Sequence, residues 1–495
     1  MTGDADGFVE IELAHGRLRG VRCEGALSFS GVPYAEPPLG ALRFAPPEPP
    51  RPWGGTRDAT HPAATAPQTA SRLAAVMGDF SREQSEDCLS LTISTPGLQG
   101  RRSVIIWLHG GGFSSGGGGL DWYDGCRLAA EGDVVVVGVN YRLGALGYLY
   151  ADGLSPGNLG LLDQAQAIRF VRDHIHNFGG DPDAITLMGQ SAGANSIAAL
   201  FAGGHIGPGI RRAILQSGAF GIHALDTETA RHRGSRLLHH LGLTGSSSEL
   251  ALRAREVPVS AILAAQGAVA REAAELGDTS PPFHLVADLP GLPADFRFDT
   301  SAAAAMANVE IMVGVTAREC QAFFAQDGRM AGLEHDDAQA RLQALYGEQA
   351  AVDYAHHRRS EPGATAADLF SDRISDIVFK SPAVQFADVA SAAGASVYFY
   401  RFDWQPPASV FGSCHCLELP FLLGMEAAWR ECPMLSAADP HAVARLGAAM
   451  RSAWLAFARD GRPASPALPD WPRYMPETRL AMHLDNEPRL GSENV

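Results

Sequence analysis

The chain has 495 residues, enough for one large domain with insertions or for two or three small domains. Apolar residues make up 46% of it and charged residues 19%, which is typical of a globular protein. Acidic residues outnumber basic residues, 55 to 39, and give a formal net charge of −16. Because such a surface repels polyanions, we expect neither nucleic acids nor anionic membranes as partners.

The start of the chain, Met1–Phe8, has neither the basic residues nor the apolar core of a secretory signal. No apolar run reaches the roughly 18 residues that a membrane-spanning helix needs. We therefore expect a cytoplasmic protein without a membrane partner.

The seven cysteines are an odd number and are widely scattered: Cys23, Cys88, Cys126, Cys320, Cys414, Cys416 and Cys432. This pattern does not predict a disulfide framework. Two of the cysteines flank His415, but the side chains of three successive residues point in divergent directions, and the chain has no CxxC pair. We therefore expect no metal site there.

The first predicted elements are strands. Val9–Leu13 and Leu89–Ile93 alternate apolar and polar residues, which is typical of antiparallel strands with one buried face. Val104–Leu108 and Val134–Val137 are nearly continuous apolar runs, as expected for strands that are covered on both faces. Leu159–Phe178 then places apolar residues at three- and four-residue spacing, which predicts a helix.

Further strands are predicted at Ala184–Met188, Ala213–Leu215, Val309–Val313 and Val397–Tyr400. Helical stretches separate them, and this alternation predicts an α/β fold with a mainly parallel central sheet and helices on both faces. Residues 226–382 contain more helix than such a sheet requires. We interpret them as a helical cap inserted into a single domain of residues 1–495, and we expect the cap to return to the sheet once, at the strand that ends at Val313.

The first chemical motif is Gly189-Gln-Ser-Ala-Gly193, which lies between a predicted strand and a predicted helix. Glycines two positions before and after Ser191 allow a turn that is too tight for a Cβ atom. The turn would expose the Ser191 hydroxyl at the carboxyl edge of the sheet, beside a helix N-terminus that favours negative charge. The motif alone also fits an ordinary structural turn, since the chain has 54 glycines.

The second motif, His109-Gly-Gly-Gly-Phe113, directly follows the first continuous apolar strand. Successive glycines let backbone N–H groups converge on one point, which an oxyanion hole requires. The predicted donors are the N–H groups of Gly111, Gly112 and Ala192. A flexible loop is the alternative, because Ser114–Gly119 is also rich in glycine.

With these motifs the chain resembles the type B carboxylesterases, the family that also includes the cholinesterases and the bacterial p-nitrobenzyl esterases. Matching segments run almost end to end, at Phe29–Gly40, Leu42–Phe44, Glu86–Leu89, Asn140–Gly144, Gly157–Gln164, Phe178–Pro182, Gln216–Gly218 and Trp471–Tyr474. Chance does not produce so many independent matches in order. The resemblance implies an α/β-hydrolase fold and the hydrolysis of carboxylic esters without a metal or an organic cofactor.

The resemblance also implies the other two members of a catalytic triad. The acid of the family lies in a motif like Gly-Val-Asn-x-Asp-Glu-Gly, which Gly314–Cys320 matches, and this identifies Glu319. The base lies in a motif like His-Gly-x-Glu-Leu, which His415–Leu419 matches, and this identifies His415. The order Ser191, Glu319, His415 is also the order expected in an α/β-hydrolase. Without the family pattern, a loop carboxylate and a core histidine would be the simpler interpretations.

Three residues are expected to support the triad. Gln190 stands where the family usually has Glu, so we expect a missing buried charge and a shifted pH optimum. Ser217 matches a family serine near the acid, and Glu418 is expected to hold the loop of the base.

Four more matches imply two buried ion pairs that fix loops and take no part in chemistry: Arg43 with Glu86, and Arg142 with Asp163.

Cys320 and Cys416 directly follow the expected acid and base, at positions that are usually glycine in the family. We expect a coupled pair of thiols packed side by side; a disulfide between them and two unrelated thiols are the alternatives. Cys88 matches a family cysteine that is often disulfide-bonded to an upstream partner. Because no cysteine lies between Cys23 and Cys88, that bond cannot form in its usual place.

The sequence therefore predicts a bacterial serine hydrolase of small carboxylic esters with short-to-medium acyl groups, either a monomer or a small homo-oligomer. Asp58–Glu86 holds no Trp, whereas cholinesterases place a choline-binding Trp there, so we expect no preference for choline esters. The alternatives within the fold are a lipase and a specialised hydrolase of a carbamate, a pyrethroid-like ester, a mycotoxin or a polyester. A binding module that has lost the nucleophile is a further alternative, and retention of all three triad residues argues against it.

Overall fold

The computed structural model describes residues 7–80, 82–423 and 426–493. Its strands are β1 (Phe8–Leu13), β2 (Gly16–Cys23), β3 (Ala26–Pro33), β4 (Thr56–Asp58), β5 (Ser90–Thr95), β6 (Arg102–Leu108), β7 (Val135–Val139), β8 (Tyr150–Ala151), β9 (Ser155–Pro156), β10 (Gly180–Gln190), β11 (Ile210–Gln216), β12 (Glu310–Thr316), β13 (Ser396–Phe402), β14 (Leu480–Leu484) and β15 (Arg489–Ser492).

Its α-helices are α1 (Ala74–Met77), α2 (Cys126–Gly132), α3 (Gly144–Tyr148), α4 (Leu159–His174), α5 (Ala192–Ala202), α6 (Thr227–His240), α7 (Ser247–Glu256), α8 (Val259–Glu272), α9 (Ala303–Ala305), α10 (Gln321–Phe324), α11 (His335–Tyr346), α12 (Glu348–Ser360), α13 (Ala366–Ser375), α14 (Ser381–Ala392), α15 (Leu419–Leu422), α16 (Glu426–Trp429) and α17 (Pro440–Asp460). None of the helices in the described ranges is long and apolar enough to cross a membrane.

One large sheet organises the molecule. Thirteen of the strands described join it in the order β1-β2-β3-β5-β7-β6-β10-β11-β12-β13-β14-β15, with β4 beside β2. Pairing is antiparallel from β1 to β7 along this order, parallel from β7 to β14, and antiparallel again at β15. The predicted parallel sheet with antiparallel N-terminal strands is confirmed.

Strand β6 illustrates why the central strands are continuously apolar. Val104, Ile106 and Leu108 point into one apolar cluster, and Ile105 and Trp107 point into a second cluster on the other face. Each of the five side chains is buried. Because successive side chains alternate between faces, a strand with both faces covered needs an apolar residue at every position.

The predicted helix at Leu159–Phe178 is present as α4 and the 3₁₀ turn Ile175–Phe178 that follows it. It ends at Gly179, whose φ of 75° lies in the left-handed region that favours glycine. Between residues 226 and 382 the structure is mainly helical and contributes β12 to the sheet. The treatment of residues 226–382 as a cap within one domain stays a prediction.

The cysteines require a correction. Cys23, at the end of β2, and Cys126, at the start of α2, form a disulfide. The expectation that the scattered cysteines form no disulfide is therefore wrong for this pair. The two residues are 103 positions apart, and nothing in their spacing indicates that β2 and α2 meet. Cys88 is a free thiol, in agreement with its missing upstream partner.

Both expected ion pairs are present. Arg142 donates to the two carboxylate oxygens of Asp163, from Nε at 2.8 Å and from Nη2 at 2.7 Å, and the pair is buried. Arg43 likewise donates to Glu86 through Nε and Nη2, and its Nη1 donates to the carbonyl oxygen of Val257 at 2.6 Å. These pairs join distant segments of the chain beside the sheet.

Candidate active site

Ser191 lies between β10 and α5, in the strand–turn–helix context that its motif requires. Its backbone has φ 55° and ψ −123°, a combination that is strained for a residue with a side chain. The Ser191 N–H donates to the carbonyl oxygen of Gln216 at 2.8 Å, which ties the turn to the neighbouring strand β11. The strained turn presents the serine at the carboxyl edge of the sheet, as expected of a nucleophile elbow.

The two glycines of the motif are required by close backbone contacts. A Cβ atom on Gly189 would lie 2.6 Å from the carbonyl carbon of Gly193. A Cβ atom on Gly193 would lie 1.9 Å from the carbonyl oxygen of Leu108, at the end of β6. Glycine therefore lets the turn pack directly against the strand that leads into the glycine-rich loop.

The glycine-rich loop has a defined conformation. Gly111 and Gly112 have φ values of 112° and 58°, and a Cβ atom on Gly111 would lie 2.0 Å from the carbonyl oxygen of Ser115. The Tyr141 hydroxyl donates to the carbonyl oxygen of His109 at 2.8 Å, and the two rings stack. Burial lowers the pKa of His109 to about 4, so its ring is neutral. The interpretation of this segment as a flexible loop is therefore not supported.

Two residues that the sequence analysis missed also hold this loop. Gln68 accepts from the Gly116 N–H at 2.6 Å and donates to the Gly116 carbonyl oxygen at 2.9 Å. Asn140 accepts from the Gly118 N–H at 2.7 Å. Asn140 lies in a matched family segment, but Gln68 lies 48 positions before its partner, and no sequence signal indicates the contact.

Glu319 and His415 are in direct contact. The Nδ1 atom of His415 lies 2.5 Å from Oε2 of Glu319, and both side chains are buried. The other carboxylate oxygen, Oε1, accepts from the Thr316 N–H at 2.8 Å. The His415 N–H also donates to the Glu319 carbonyl oxygen at 3.2 Å. An Nδ1–H group directed at Glu319 leaves Nε2 as the ring nitrogen that can accept a hydrogen bond.

Two aromatic side chains cover the imidazole. The ring centres of Phe323 and Phe379 lie 5.4 Å and 5.0 Å from that of His415. They limit the access of water to the Glu319–His415 contact. Neither residue can be found from the sequence, since apolar residues in helical segments carry no signal that separates a site wall from the core.

Ser191 and His415 line the same cavity, but the described part of the chain contains no hydrogen bond between the Ser191 hydroxyl and His415. The side chain at hydrogen-bond distance from His415 Nε2 is Gln190, whose Nε2 lies 3.1 Å away. The same Gln190 amide donates to the Cys416 sulfur at 3.3 Å. Gln190 therefore contacts the ring atom that would have to accept the serine proton.

The coupled-thiol hypothesis is wrong. Cys320 and Cys416 are both free and buried, but they pack into different apolar clusters and do not touch. The Cys320 N–H donates to the hydroxyl of Ser375, whereas Cys416 contacts Gln190. Cys416 also has a φ of 74°, so a side chain occupies a left-handed position that favours glycine. Although Glu319 and His415 are in contact, the cysteines that follow them in the sequence lie in separate apolar clusters.

Glu418 is fully buried behind the triad residues. Its Oε1 accepts from Gln216 Nε2 at 3.4 Å, and Oε2 has no partner among the described residues. Burial, with a smaller effect of the Glu319 charge, raises the pKa of Glu418 to about 8. The Ser217 hydroxyl is also buried without a described partner, while its N–H donates to the Gly314 carbonyl oxygen at 2.8 Å. The carboxyl group of Glu418 is therefore neutral at pH 7.

Ser191 and His415 open into a cavity of about 190 Å³. Its wall is mainly apolar and includes the aromatic side chains of Phe113, Trp122, Tyr123, Phe298, Phe323 and Phe379. The glycine-rich loop and Gln190 border the same space. A serine on a strained turn, an imidazole paired with a carboxylate and a glycine-rich loop around one apolar cavity are the parts that acyl transfer requires.

Comparisons with known proteins identify the family. The model of the carboxylesterase family matches residues 6–494. The chain is 38% identical over 491 residues to a probable N-octanoylanthranilate hydrolase of Rhodococcus erythropolis, covering 98% of this chain and 100% of the relative. It is 34% identical over 483 residues to the para-nitrobenzyl esterase of Bacillus subtilis (strain 168), covering 96% and 95%.

A solved structure of a thermophilic PNB esterase superposes with a TM-score of 0.86 at 33% identity, covering 97% of both chains. The chain belongs to the carboxylesterase family. It is a carboxylic-ester hydrolase with the α/β-hydrolase fold, as the sequence motifs predict.

Proposed function

We propose that Ser191, His415 and Glu319 form the catalytic triad of this hydrolase, and that it cleaves esters with short-to-medium acyl groups. The observation that carries the proposal is the 2.5 Å contact between His415 Nδ1 and Glu319 Oε2, beside the cavity that Ser191 also lines. A buried carboxylate at this position fixes the tautomer of the imidazole and stabilises its protonated form.

The proposed reaction has two steps. His415 Nε2 accepts the proton of the Ser191 hydroxyl as the oxygen attacks the ester carbonyl carbon, and the protonated ring then donates this proton to the leaving alcohol. Water attacks the acyl-enzyme in the second step with His415 again as base, which releases the acid and restores Ser191. The N–H groups of Gly111, Gly112 and Ala192 are the proposed donors to the oxyanion.

Three residues are proposed to support the triad without taking part in bond changes. Gln190 contacts His415 Nε2 and holds the ring through an amide hydrogen bond. Glu418 and Ser217 fill the buried space next to the loops of the base and the acid. A neutral Glu418 adds no negative charge beside Glu319, so it leaves the charge balance of the triad unchanged.

The cavity supports a limited acyl length. Aromatic side chains border it, and the only helix that the described residues of Asp58–Glu86 form is the four-residue α1, which is too short to be an apolar lid. The relative named for N-octanoylanthranilate acts on an eight-carbon acyl group, which supports the medium range. Chains much longer than this would have to leave the cavity.

A panel of p-nitrophenyl esters with two- to sixteen-carbon acyl groups tests the proposal. We expect kcat/KM to be highest for short or medium chains, and Ser191→Ala to lower kcat about a million-fold with unchanged folding. Residual activity of more than a few per cent in the pure variant would show that Ser191 is not the nucleophile. Sharp activation above the solubility limit of a long-chain triglyceride would instead indicate a lipase.

A further inference from the structure

A cationic side chain borders the cavity near the imidazole. Arg72 precedes α1, and its guanidinium carbon lies 5.4 Å from the centre of the Phe323 ring. The centre of the same ring lies 5.4 Å from that of His415. The guanidinium is therefore no more than about 11 Å from the centre of the imidazole, and both groups lie beside the Phe323 ring.

Asp278 is the carboxylate whose charge acts on Arg72, but the two side chains form no direct ion pair. The Arg72 Nη2 donates to the carbonyl oxygen of Thr279 at 2.9 Å, and the described residues form no ion pair with it. A guanidinium has five N–H donors, so this contact satisfies a minor part of its hydrogen-bonding capacity. Desolvation by the surrounding protein lowers the pKa of Arg72, partly offset by the charge of Asp278, although an arginine stays protonated at neutral pH.

Arg72 is also the only Lys, Arg, Asp or Glu among the described residues that line the cavity. His284 lines it as well, but burial lowers the pKa of that ring to about 3, so it carries no charge at neutral pH. Arg72 is solvent-exposed as well as lining the cavity, so its charge is hydrated in the free protein and remains available to a bound group. The wall is thus complementary to a ligand with a single negative charge.

The position of Arg72 indicates which part of a substrate would carry this charge. In the proposed reaction the protonated imidazole of His415 donates to the leaving oxygen, so the leaving group departs along the His415 side of the cavity. Arg72 and His415 both lie beside Phe323, whose ring offers a surface on which an aromatic leaving group can pack.

We propose that Arg72 is a specificity-determining residue that binds a carboxylate on the leaving group, so that the favoured substrates are aryl esters whose phenol carries a carboxylate. The inference rests on the proposed function, because the leaving-group side is defined by His415. A carboxylate on the ring would accept hydrogen bonds from the guanidinium and supply a direct counter-ion.

A matched pair of substrates measures this preference. The esters 3-carboxyphenyl butyrate and 3-carbamoylphenyl butyrate have the same acyl group and nearly the same shape, but only the first is anionic. We expect Arg72→Gln to lower the ratio of their kcat/KM values about ten- to a hundredfold, mainly through KM for the anionic ester, as for the loss of a charge-assisted hydrogen bond. Arg72→Lys should keep a larger part of the ratio, and added salt should lower the wild-type ratio.

Arg233 provides the control. Its Nη1 donates to the carbonyl oxygens of Pro281 and Pro282, at 3.2 Å and 2.9 Å, and both prolines line the cavity. Arg233→Gln therefore loosens the same wall without removing a charge from the cavity, and we expect it to keep the wild-type ratio. An equal fall of the ratio in the two Gln variants would overturn the proposal, since Arg72 would then act only by holding the wall.

Two further outcomes would also overturn it. One is a wild-type ratio that does not respond to salt, a result that depends on no variant. The other is a loss in Arg72→Gln that affects the phenyl monoester of glutaric acid, whose charge is on the acyl side, and spares the carboxyphenyl ester. Ser191→Ala is assayed in parallel. If it abolishes turnover of both esters while Arg72→Gln leaves the ratio of their kcat/KM values unchanged, only the leaving-group inference fails. If Ser191→Ala stays active, the proposed function fails.

Discussion

Gln190 stands between the two side chains that the proposed reaction must join. Its amide lies 3.1 Å from His415 Nε2, the atom that has to accept the Ser191 proton. Catalytic hydrogen bonds are often absent or long without substrate and form in the Michaelis complex. We therefore expect Gln190 to hold the resting ring and to release Nε2 when the ester binds.

Replacing Gln190 by Glu should move the acidic limb of the kcat/KM profile to higher pH, by about one to two units. A carboxylate at hydrogen-bond distance stabilises the protonated imidazole, which cannot act as base. Activity at pH 7 should fall and recover at pH 9. The neutral variant Gln190→Met serves as control and should move the limb less than Gln190→Glu, because it removes the amide hydrogen bond without adding a charge. A limb that does not move in Gln190→Glu would show that residue 190 has no electrostatic contact with the base.

The buried carboxyl group of Glu418 should make the stability of the folded protein depend on pH. The pKa of Glu418 is about 8 in the folded protein and near its ordinary value of 4.5 in the unfolded chain, so the folded state binds the extra proton between these values. The contribution of this group to stability therefore falls as pH rises from about 4.5 to 8. Glu418→Gln removes the titration, and its unfolding midpoint should fall less than that of the wild type between pH 5 and pH 8. Parallel midpoints across this range would contradict the buried, protonated state of Glu418.

Among single residues, the proposed site residues that belong to motifs are the ones that the sequence predicts. Ser191 was recognisable from its glycines, and Glu319 and His415 from the family pattern. Arg72 and Phe323 could not be found, since neither belongs to a motif and their importance comes from the cavity that they share. A single arginine in a stretch of small residues is usually a solvated surface residue.

The turn between β10 and α5 depends on close packing against β6. Gly193→Ala would place a Cβ atom 1.9 Å from the Leu108 carbonyl oxygen, so the turn and β6 have to move apart. We expect a loss of about 1–3 kcal/mol in the free energy of unfolding. We also expect kcat to fall more than KM changes, because the serine and the glycine-rich loop lose their relative position.

Gly363→Ala is the matched control for this substitution. A Cβ atom on Gly363 would meet no atom within 4 Å, and its φ is not in the left-handed region. Chemical denaturation and steady-state kinetics of both variants separate a local clash from a general effect of replacing glycine. Wild-type stability and kcat in Gly193→Ala would contradict the described packing of the turn on β6.

The predicted bounds of the regular strands lie closer to those in the structure than the predicted bounds of β10, which is irregular. The prediction for β10 covered Ala184–Met188, whereas the strand extends from Gly180 to Gln190. Gly180 pairs with Arg102, and the register then shifts before Ile185 pairs with Val104. The polar residues inside this irregular part break the apolar pattern, so the sequence could not indicate that the strand continues through it.

The disulfide between Cys23 and Cys126 matters at the scale of the whole molecule. It joins β2 to α2 across 103 positions and leaves five cysteines free among the described residues. Alkylation of the unfolded, unreduced protein should therefore modify five thiols by mass spectrometry, and a reduced sample provides the control with seven. Seven modified thiols without reductant would contradict the bond and would agree with the reducing cytoplasm expected from the sequence, a location that stays a prediction.

The fold class was predictable because alternating strands and helices leave few arrangements of a parallel sheet. The order of the strands and the contact between β2 and α2 were not predictable from the motifs, since both depend on pairing between distant segments. The cavity is likewise a property of the whole molecule. Its wall combines residues near position 72, the glycine-rich loop, and helices beyond position 260.

Labelling of the nucleophile tests the central claim most directly. A p-nitrophenyl alkylphosphonate that mimics a short-chain ester should react once per chain and release one p-nitrophenolate, because the serine oxygen attacks phosphorus as it would attack the ester carbonyl. We expect peptide mass spectrometry to locate the adduct on Ser191, with loss of activity in proportion to labelling and no reaction in Ser191→Ala. An adduct on Ser196 or Ser217, or full activity in the labelled protein, would contradict the assignment of Ser191 as the nucleophile.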